Sequence, residues 1–231
     1  MNADTFKRAA AERALSFVQP GMKLGLGTGT TAEIFVELLA EKIPSGLNII
    51  GAATSKRTEE KALALGIPLR DLDELAPLDL DIDGADEADL DLNLIKGGGG
   101  ALLREKIVAA SARRMIVIAD SSKLVDRLGV FPLPVEVLSF GHATTAQRIR
   151  NAAAALGYEG FAPRLRDGFV TDSGNLIYDC GFGAIRDVRL LAFTLNAIPG
   201  VVDHGLFLNL ASMLVIAGAD GVEVIDRPRS P

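Results

Sequence analysis

Along the first half of the chain, short apolar runs alternate with segments whose apolar residues recur at helical spacing. Lys23 to Gly27 predicts a short strand, and Ala32 to Lys42 a helix with Ile34, Phe35, Leu38 and Leu39 on one face. Asn48 to Ala53 predicts the next strand and Thr58 to Leu65 its helix, ended by Gly66 and Pro68. Asp79 to Asp83, Leu102 to Ala112 and Met115 to Ala119 continue the series as strand, helix and strand. Ahead of them, Met1 to Ala14 predicts an amphipathic helix. Strands that alternate with helices imply crossover connections and a mostly parallel sheet covered on both faces, with ligands at the carboxyl ends of its strands.

The second half has another rhythm. Val135 to Phe140 predicts a strand, Thr145 to Leu156 a helix and Gly160 to Arg166 a strand. Phe169 to Asp172 and Asn175 to Tyr178 flank Ser173-Gly174, which signals a tight hairpin. Val188 to Ala197 predicts a helix ended by Pro199, and Val201 to Phe207 a last strand. The order β-α-β-β-α-β is the ferredoxin-like pattern. The expected architecture is therefore α/β: a Rossmann-like, mostly parallel sheet domain at 1–130 plus 206–231, with a smaller ferredoxin-like α+β domain inserted at 131–205. Phe131-Pro132-Leu133-Pro134 is a stiff, extended crossing point between them.

Composition narrows the function classes. With 231 residues, 48% of them hydrophobic, the chain can bury a sizeable core. Its 24 Lys and Arg against 30 Asp and Glu give a net charge of −6, and the pI near 5.0 speaks against a nucleic-acid partner. The one cysteine, Cys180, excludes an intramolecular disulfide and a multi-cysteine zinc site. The charged N-terminus lacks the apolar core of a signal peptide. The longest apolar stretch, Leu206 to Ala219, is interrupted by Asn209 and Ser212 and is too short to span a bilayer. A soluble cytoplasmic protein without a membrane partner is expected.

Three segments carry the candidate chemistry. In the first, Gly25-Leu26-Gly27-Thr28-Gly29-Thr30-Thr31-Ala32 joins a strand to a helix. Its glycines admit an anion close to the backbone, while the helix-start N–H groups and the threonine hydroxyls of Thr28, Thr30 and Thr31 can bind a phosphate. Gly27-x-Gly29-x-x-Ala32 also fits the dinucleotide fingerprint, but Asn48 to Lys56 offers no acid for a ribose hydroxyl. A simple packing turn is the plainer alternative.

In the second, Leu78, Leu80 and Ile82 alternate with acids, so a strand ends in Asp83-Gly84-Ala85-Asp86-Glu87. Asp79, Asp81, Asp83 and Gly84 imitate the start of a calcium loop, but Asp86 and Leu90 then stand where an apolar residue and a bidentate glutamate belong. Glu87, Asp89 and Asp91 read as solvated loop charges; Asp83 and Asp86, with Gly84 between them, read as site residues at a fixed turn.

The third is Lys96-Gly97-Gly98-Gly99-Gly100-Ala101-Leu102 followed by Leu103-Arg104-Glu105-Lys106. Four glycines lose much conformational entropy on ordering, so stability does not explain them. They let backbone N–H groups face a ligand beside the Lys96 cation. Glu105 in the first turns of the next helix suits a general base beside an electrophile, or equally a surface charge run. Lesser candidates are Thr54 to Thr58, lining the same site or capping a helix, and Lys123, which follows a strand. His142, His204 and Cys180 read as structural.

Together, Gly27-Thr28-Gly29-Thr30-Thr31-Ala32, Asp83-Gly84-Ala85-Asp86-Glu87 and Lys96 to Lys106 resemble the type A ribose-5-phosphate isomerase family. Ala119-Asp120-x-Ser122-Lys123, Phe131 to Val137 and Asn196-Ala197-Ile198-Pro199-Gly200-Val201-Val202 extend the likeness, in order, from about Lys7 to Val224. The resemblance implies an aldose–ketose isomerase of the pentose phosphate pathway that interconverts ribose 5-phosphate and ribulose 5-phosphate without metal or cofactor. It implies Glu105 as the base acting through an enediolate and Lys96 as the cation near the developing oxyanion. Asp83 and Asp86 become the acids that bind sugar hydroxyls and assist ring opening. Thr28, Gly29, Thr30, Thr31, Gly84, Ala85, Gly97, Gly98, Gly99 and Lys123 fall at substrate-binding positions, with Lys7 reaching toward the phosphate. It further implies a homodimer or homotetramer. Thr30 stands where a serine is common, and Tyr178-Asp179-Cys180-Gly181 replaces a more usual stretch.

Two other classes compete. A non-catalytic sugar-phosphate sensor would share the architecture, but such repressors carry a helix-turn-helix domain, and here the first helix is expected within the first few residues. A nucleotide-dependent oxidoreductase rests only on the glycine match and lacks the ribose acid.

Overall fold

The structure, a computed structural model, describes residues 3–227. Helix α1 (Ala3–Leu15) leads into β1 (Lys23–Leu26), α2 (Thr30–Lys42), β2 (Ile50–Ala53), α3 (Lys56–Ala64), the single turn α4 (Leu72–Leu75) and β3 (Leu80–Gly84). Two short strands, β4 (Glu87–Ala88) and β5 (Leu94–Ile95), precede α5 (Leu102–Ala110) and β6 (Met115–Asp120). After a 3-10 turn at Ser121–Lys123 come β7 (Leu133–Val137), α6 (His142–Ala155), β8 (Arg164–Leu165), β9 (Leu176–Cys180), α7 (Val188–Asn196) and β10 (Val201–His204). The described chain ends with β11 (Leu206–Phe207), β12 (Ala211–Gly218) and β13 (Gly221–Asp226). Met1 and Asn2 of the expected N-terminal helix lie outside the described residues.

The main sheet has the order β13-β12-β6-β3-β1-β2 and is parallel except for the edge strand β13. Chain order reverses between β1 and β3, because β2 lies to one side of β1 and β3 to the other. Such a switch point opens a crevice at the carboxyl ends of the two strands, where the loops beginning at Gly27 and at Ala85 emerge. On one face Leu24, Leu26, Leu80 and Ile82 pack with Ala10, Ala14, Phe35 and Leu39 of α1 and α2. The opposite positions of β3, Asp81 and Asp83, are also fully buried. Gly25 makes room there, since a Cβ on it would strike the Asp81 carboxylate and Val108 of α5. The alternation read from sequence is thus real, but its polar side faces the interior, not water.

A four-stranded antiparallel sheet of order β10-β7-β9-β8 carries α6 and α7 in the β-α-β-β-α-β sequence. Its apolar cluster joins Leu133, Val135 and Val137 to Ile149, Leu191 and Leu195. Two expectations need correction. Phe169 to Asp172 is no strand: β9 pairs instead with the two-residue β8, and residues 166–175 form a loop. The expected strand Val201 to Phe207 divides at Gly205, where a Cβ would collide with the Lys96 carbonyl, so β11 turns to pair with β5 in a third sheet, β11-β5-β4. We propose the domain split at 1–130 plus 206–231 and 131–205 on the strength of these separate sheets. Ile95, Leu128 and Leu206, outside 131–205, join the smaller sheet's core, and residues 228–231 lie outside the described chain.

Glu87 corrects another expectation. It is only 4% exposed, and its carboxylate accepts the backbone N–H of Gly129 at 2.6 Å and of Phe131 at 2.5 Å. It therefore ties the crossing segment to β4, through charge-assisted bonds that are stronger than neutral ones. Glu87→Ala orphans two N–H groups and is expected to lower the unfolding free energy by about 2–5 kcal/mol. Urea denaturation of the variant checks this, and Glu87→Asp should lose less.

Candidate active site

The crevice is built first by glycines. A Cβ on Gly27 would overlap the Asp83 carboxylate; its absence lets Asp83 Oδ1 accept the N–H of Thr28 at 3.0 Å and of Gly84 at 2.7 Å. Gly29, with φ 117°, caps α2 without any side-chain bond to the helix. The first N–H groups of α2 thus remain available to an anion, at the positive end of the helix dipole. Behind them the Thr28 hydroxyl lies 2.7 Å from Thr54 Oγ1, 2.8 Å from Ser55 Oγ and 3.1 Å from Thr58 Oγ1. Ser55 caps α3 by accepting the Thr58 N–H. Of the two readings for Thr54 to Thr58, the helix cap is the one realised, with an added role in bracing Thr28.

Lys96 stands at the centre. It is 2% exposed, and its Nζ lies 3.0 Å from Asp83 Oδ2, 3.3 Å from Glu105 Oε1 and 2.5 Å from the Gly84 carbonyl oxygen. An ammonium has three donors, and these acceptors match them. Two carboxylates raise the Lys96 pKa despite burial, so it stays a cation. Glu105 is 4% exposed, which removes the surface-charge reading. Burial pushes its pKa up to about 8, with Lys96 opposing the rise and Asp83 adding to it. Its second oxygen, Oε2, has no hydrogen-bond partner. Burial also raises Asp83, again against Lys96.

A cavity of about 150 Å³ opens over this group. Thr28, Gly29, Thr30 and Thr31 line one side, Gly84, Ala85 and Asp86 another, and Lys96, Gly97, Gly99 and Glu105 a third. Lys7 from α1 and Lys123 from the turn after β6 complete the wall. Two of the candidate residues stand behind it. Asp83 is fully enclosed beneath Lys96, and Gly98 gives its N–H to Asp86 Oδ2 at 2.7 Å. The expectation that Asp83 meets a sugar hydroxyl is therefore replaced by a contact with Lys96.

Some residues near the site were given no role by the sequence. Asp81 is fully buried with both carboxylate oxygens unpartnered, and burial, reinforced by Asp83, drives its pKa well up. Lys106 bonds Asp203 Oδ1 at 2.5 Å and the His204 carbonyl at 2.6 Å. The Phe207 ring lies between the two lysines, 5.5 Å from Lys96 Nζ and 5.0 Å from Lys106 Nζ. In the sequence, Asp81 shows only as one of the acids alternating along a strand and Lys106 only as part of a charge run, while Asp203 and Phe207 show only as parts of a predicted strand. His142 pairs with the Tyr178 hydroxyl at 2.8 Å. His204 accepts the Leu206 N–H, and burial pushes its pKa down to about 4. Cys180 is a buried free thiol. Among the described residues no cluster of His, Cys, Asp and Glu is arranged to hold a metal ion, and no helix is long and apolar enough to cross a membrane.

Comparison with known proteins adds independent support. Residues 50–221 match the family model for ribose 5-phosphate isomerase A (phosphoriboisomerase A). The chain is 57% identical over 230 residues to the ribose-5-phosphate isomerase A of Parvibaculum lavamentivorans, covering 98% of this chain and all of the relative. The Sinorhizobium fredii protein of that name is also 57% identical, covering 97% of this chain and 99% of its own. Among solved structures, ribose 5-phosphate isomerase A from Neisseria gonorrhoeae superposes with a TM-score of 0.90 at 38% identity over 99% of both chains. A D-ribose-5-phosphate isomerase in complex with phospho-erythronic acid gives a TM-score of 0.91 at 37% identity, covering 98% of this chain and 100% of the other. By sequence along nearly its whole length, and by fold, the chain belongs to the ribose 5-phosphate isomerase A family.

Proposed function

We propose that the protein interconverts D-ribose 5-phosphate and D-ribulose 5-phosphate by proton transfer through an enediolate, as an aldose–ketose isomerase of the pentose phosphate pathway. The observation that carries the assignment is the buried contact of 3.3 Å between Glu105 and Lys96 on the wall of a cavity. Enolisation needs a base at one carbon and a fixed positive charge at the neighbouring oxygen. The Glu105 carboxylate takes the proton from C2 of the open-chain aldose and returns it to C1 of the enediolate. Lys96 stabilises the negative charge that develops on the carbonyl oxygen, and Asp83 holds Lys96 in place. Asp86, on the cavity wall, binds sugar hydroxyls and assists ring opening. The phosphate lies at the α2 N-terminus, with Thr30, Thr31, Lys7 and Lys123 around it. A glutamate serves as base in the same type of reaction in triosephosphate isomerase.

The sensor reading gains nothing from the site. Binding a sugar phosphate does not require a carboxylate raised toward neutrality and buried against an ammonium, whereas base catalysis near pH 7 does. Assembly as a homodimer or homotetramer, in the cytoplasm, is part of the same proposal. It rests on family resemblance, and light scattering over a protein concentration series reads the assembly.

Three outcomes are expected. Ribulose 5-phosphate formation survives a chelator in the wild type and falls roughly 100- to 10,000-fold in a folded Glu105→Gln variant; retained turnover in that variant would remove Glu105 from its role. Because the base must be unprotonated, kcat/KM rises with pH through an inflection near 8. A pH profile of the free enzyme measures this inflection, and Lys96→Met moves it upward by removing the opposing cation. Lys123→Ala raises KM about 10-fold while leaving kcat nearly intact, as steady-state kinetics will show if Lys123 binds only the phosphate.

A further inference from the structure

The loop at 166–175, where the sequence predicted half of a hairpin, runs against the glycine loop of the site. Arg166 Nη1 donates to the carbonyl oxygens of Gly97 and Gly98, each at 3.2 Å. The rest of its guanidinium is locked by Asp179, through Nε at 3.0 Å and Nη2 at 2.5 Å. Phe169 lies 5.5 Å under the guanidinium and fills the space that a side chain on Gly100 would need. The second half of the loop is anchored as well. Glu136, buried in β7, accepts from Thr171 and Asn175 at 2.9 Å each, and Asp172 accepts the N–H of Lys56 at 2.8 Å.

The peptides after Gly97 and Gly98 are trans, so each carbonyl points opposite to the N–H that follows it. With Arg166 on the two oxygens, the N–H groups of Gly98 and Gly99 are turned away from it. That of Gly98 goes to Asp86 Oδ2, and Gly99 lines the cavity. A cation on the oxygen side also polarises each peptide, making its N–H a stronger donor. The geometry points to Arg166 as a positioning residue that aims and strengthens the Gly99 amide as an oxyanion or hydroxyl donor, and that fixes Asp86 through Gly98. This deepens the isomerase reading and rests on it. It makes the smaller sheet a working part of the site, because Asp179 stands on its strand β9 and Arg166 directly follows its strand β8.

The test compares the wild type with Arg166→Met and Asp179→Asn; the second keeps the cation but frees its fork, and Asp179 is partly exposed, so folding survives the change. Kinetics with ribose 5-phosphate, calorimetric affinity for phospho-erythronic acid, melting temperature and amide exchange over residues 97–100 are read for each. Arg166→Met is expected to lose about 10- to 100-fold in kcat/KM, to bind the analogue more weakly by a similar factor and to exchange its Gly98 and Gly99 amides faster. Melting should change little, added guanidinium should restore part of the rate, and Asp179→Asn should fall between. Folded variants with kcat/KM within about twofold of wild type, or with unchanged amide exchange, would overturn the role of Arg166. Absence of turnover in the wild type would instead strike the isomerase reading, and amide exchange would still decide whether Arg166 holds the loop.

Discussion

A single ammonium shared by two carboxylates in a nearly dry site constrains everything around it. Lys96 faces Asp83 and Glu105 with almost no water to screen the charges. Buried ions lose several kcal/mol each of hydration, about what is recovered only with close partners and full hydrogen bonding. Here the Gly84 carbonyl takes the third donor of Lys96, and Thr28 and Gly84 supply N–H groups to Asp83. Glu105 shares that ammonium, and its pKa is raised chiefly by burial, with Lys96 opposing the rise and Asp83 adding to it. With Glu105 in its proposed role as base, stability and reactivity are coupled, since the burial that costs folding energy is also what raises the carboxylate's basicity.

The glycines follow from the same constraint. Gly25 and Gly27 have no side chain because β1 must run directly against the acids of β3. Gly205 has none because the chain crosses the Lys96 carbonyl, and its own carbonyl accepts the Lys96 N–H at 2.9 Å. Each is a close approach that places an acid or a cation within reach of the crevice, and each would read as an ordinary turn residue on its own.

The two sheets divide the work. The parallel sheet supplies the crevice at its switch point, the acids and the helix N-terminus. The antiparallel sheet braces the glycine loop through Arg166 and Phe169, while Glu87 secures the crossing between them. The short sheet of β4, β5 and β11 sits at their junction and carries Lys96 and Phe207 at its ends.

Local chemistry made much of this legible in the sequence. Apolar periodicity marked most strands and helices, since burial demands one face. The glycine run, the acids at the end of a strand and the threonines at a helix start pointed to the three walls, because such compositions suit close backbone approach and free N–H groups, although packing turns and solvated charges remained open for each. What the sequence could not show was which charges lose their water. Glu87 and Glu105 both sit among exposed-looking acids and bases, yet both are buried, because contacts across 42 and 9 residues close over them. Ser173-Gly174 does turn the chain within the loop at 166–175, but the strand that follows, β9, pairs with β8 rather than with Phe169 to Asp172, and the loop's Arg166 binds residues about 70 positions away. Turn propensity is a property of a few neighbouring residues, whereas burial, charge pairing and strand partnership depend on the whole packed chain, and those the tertiary structure alone decided.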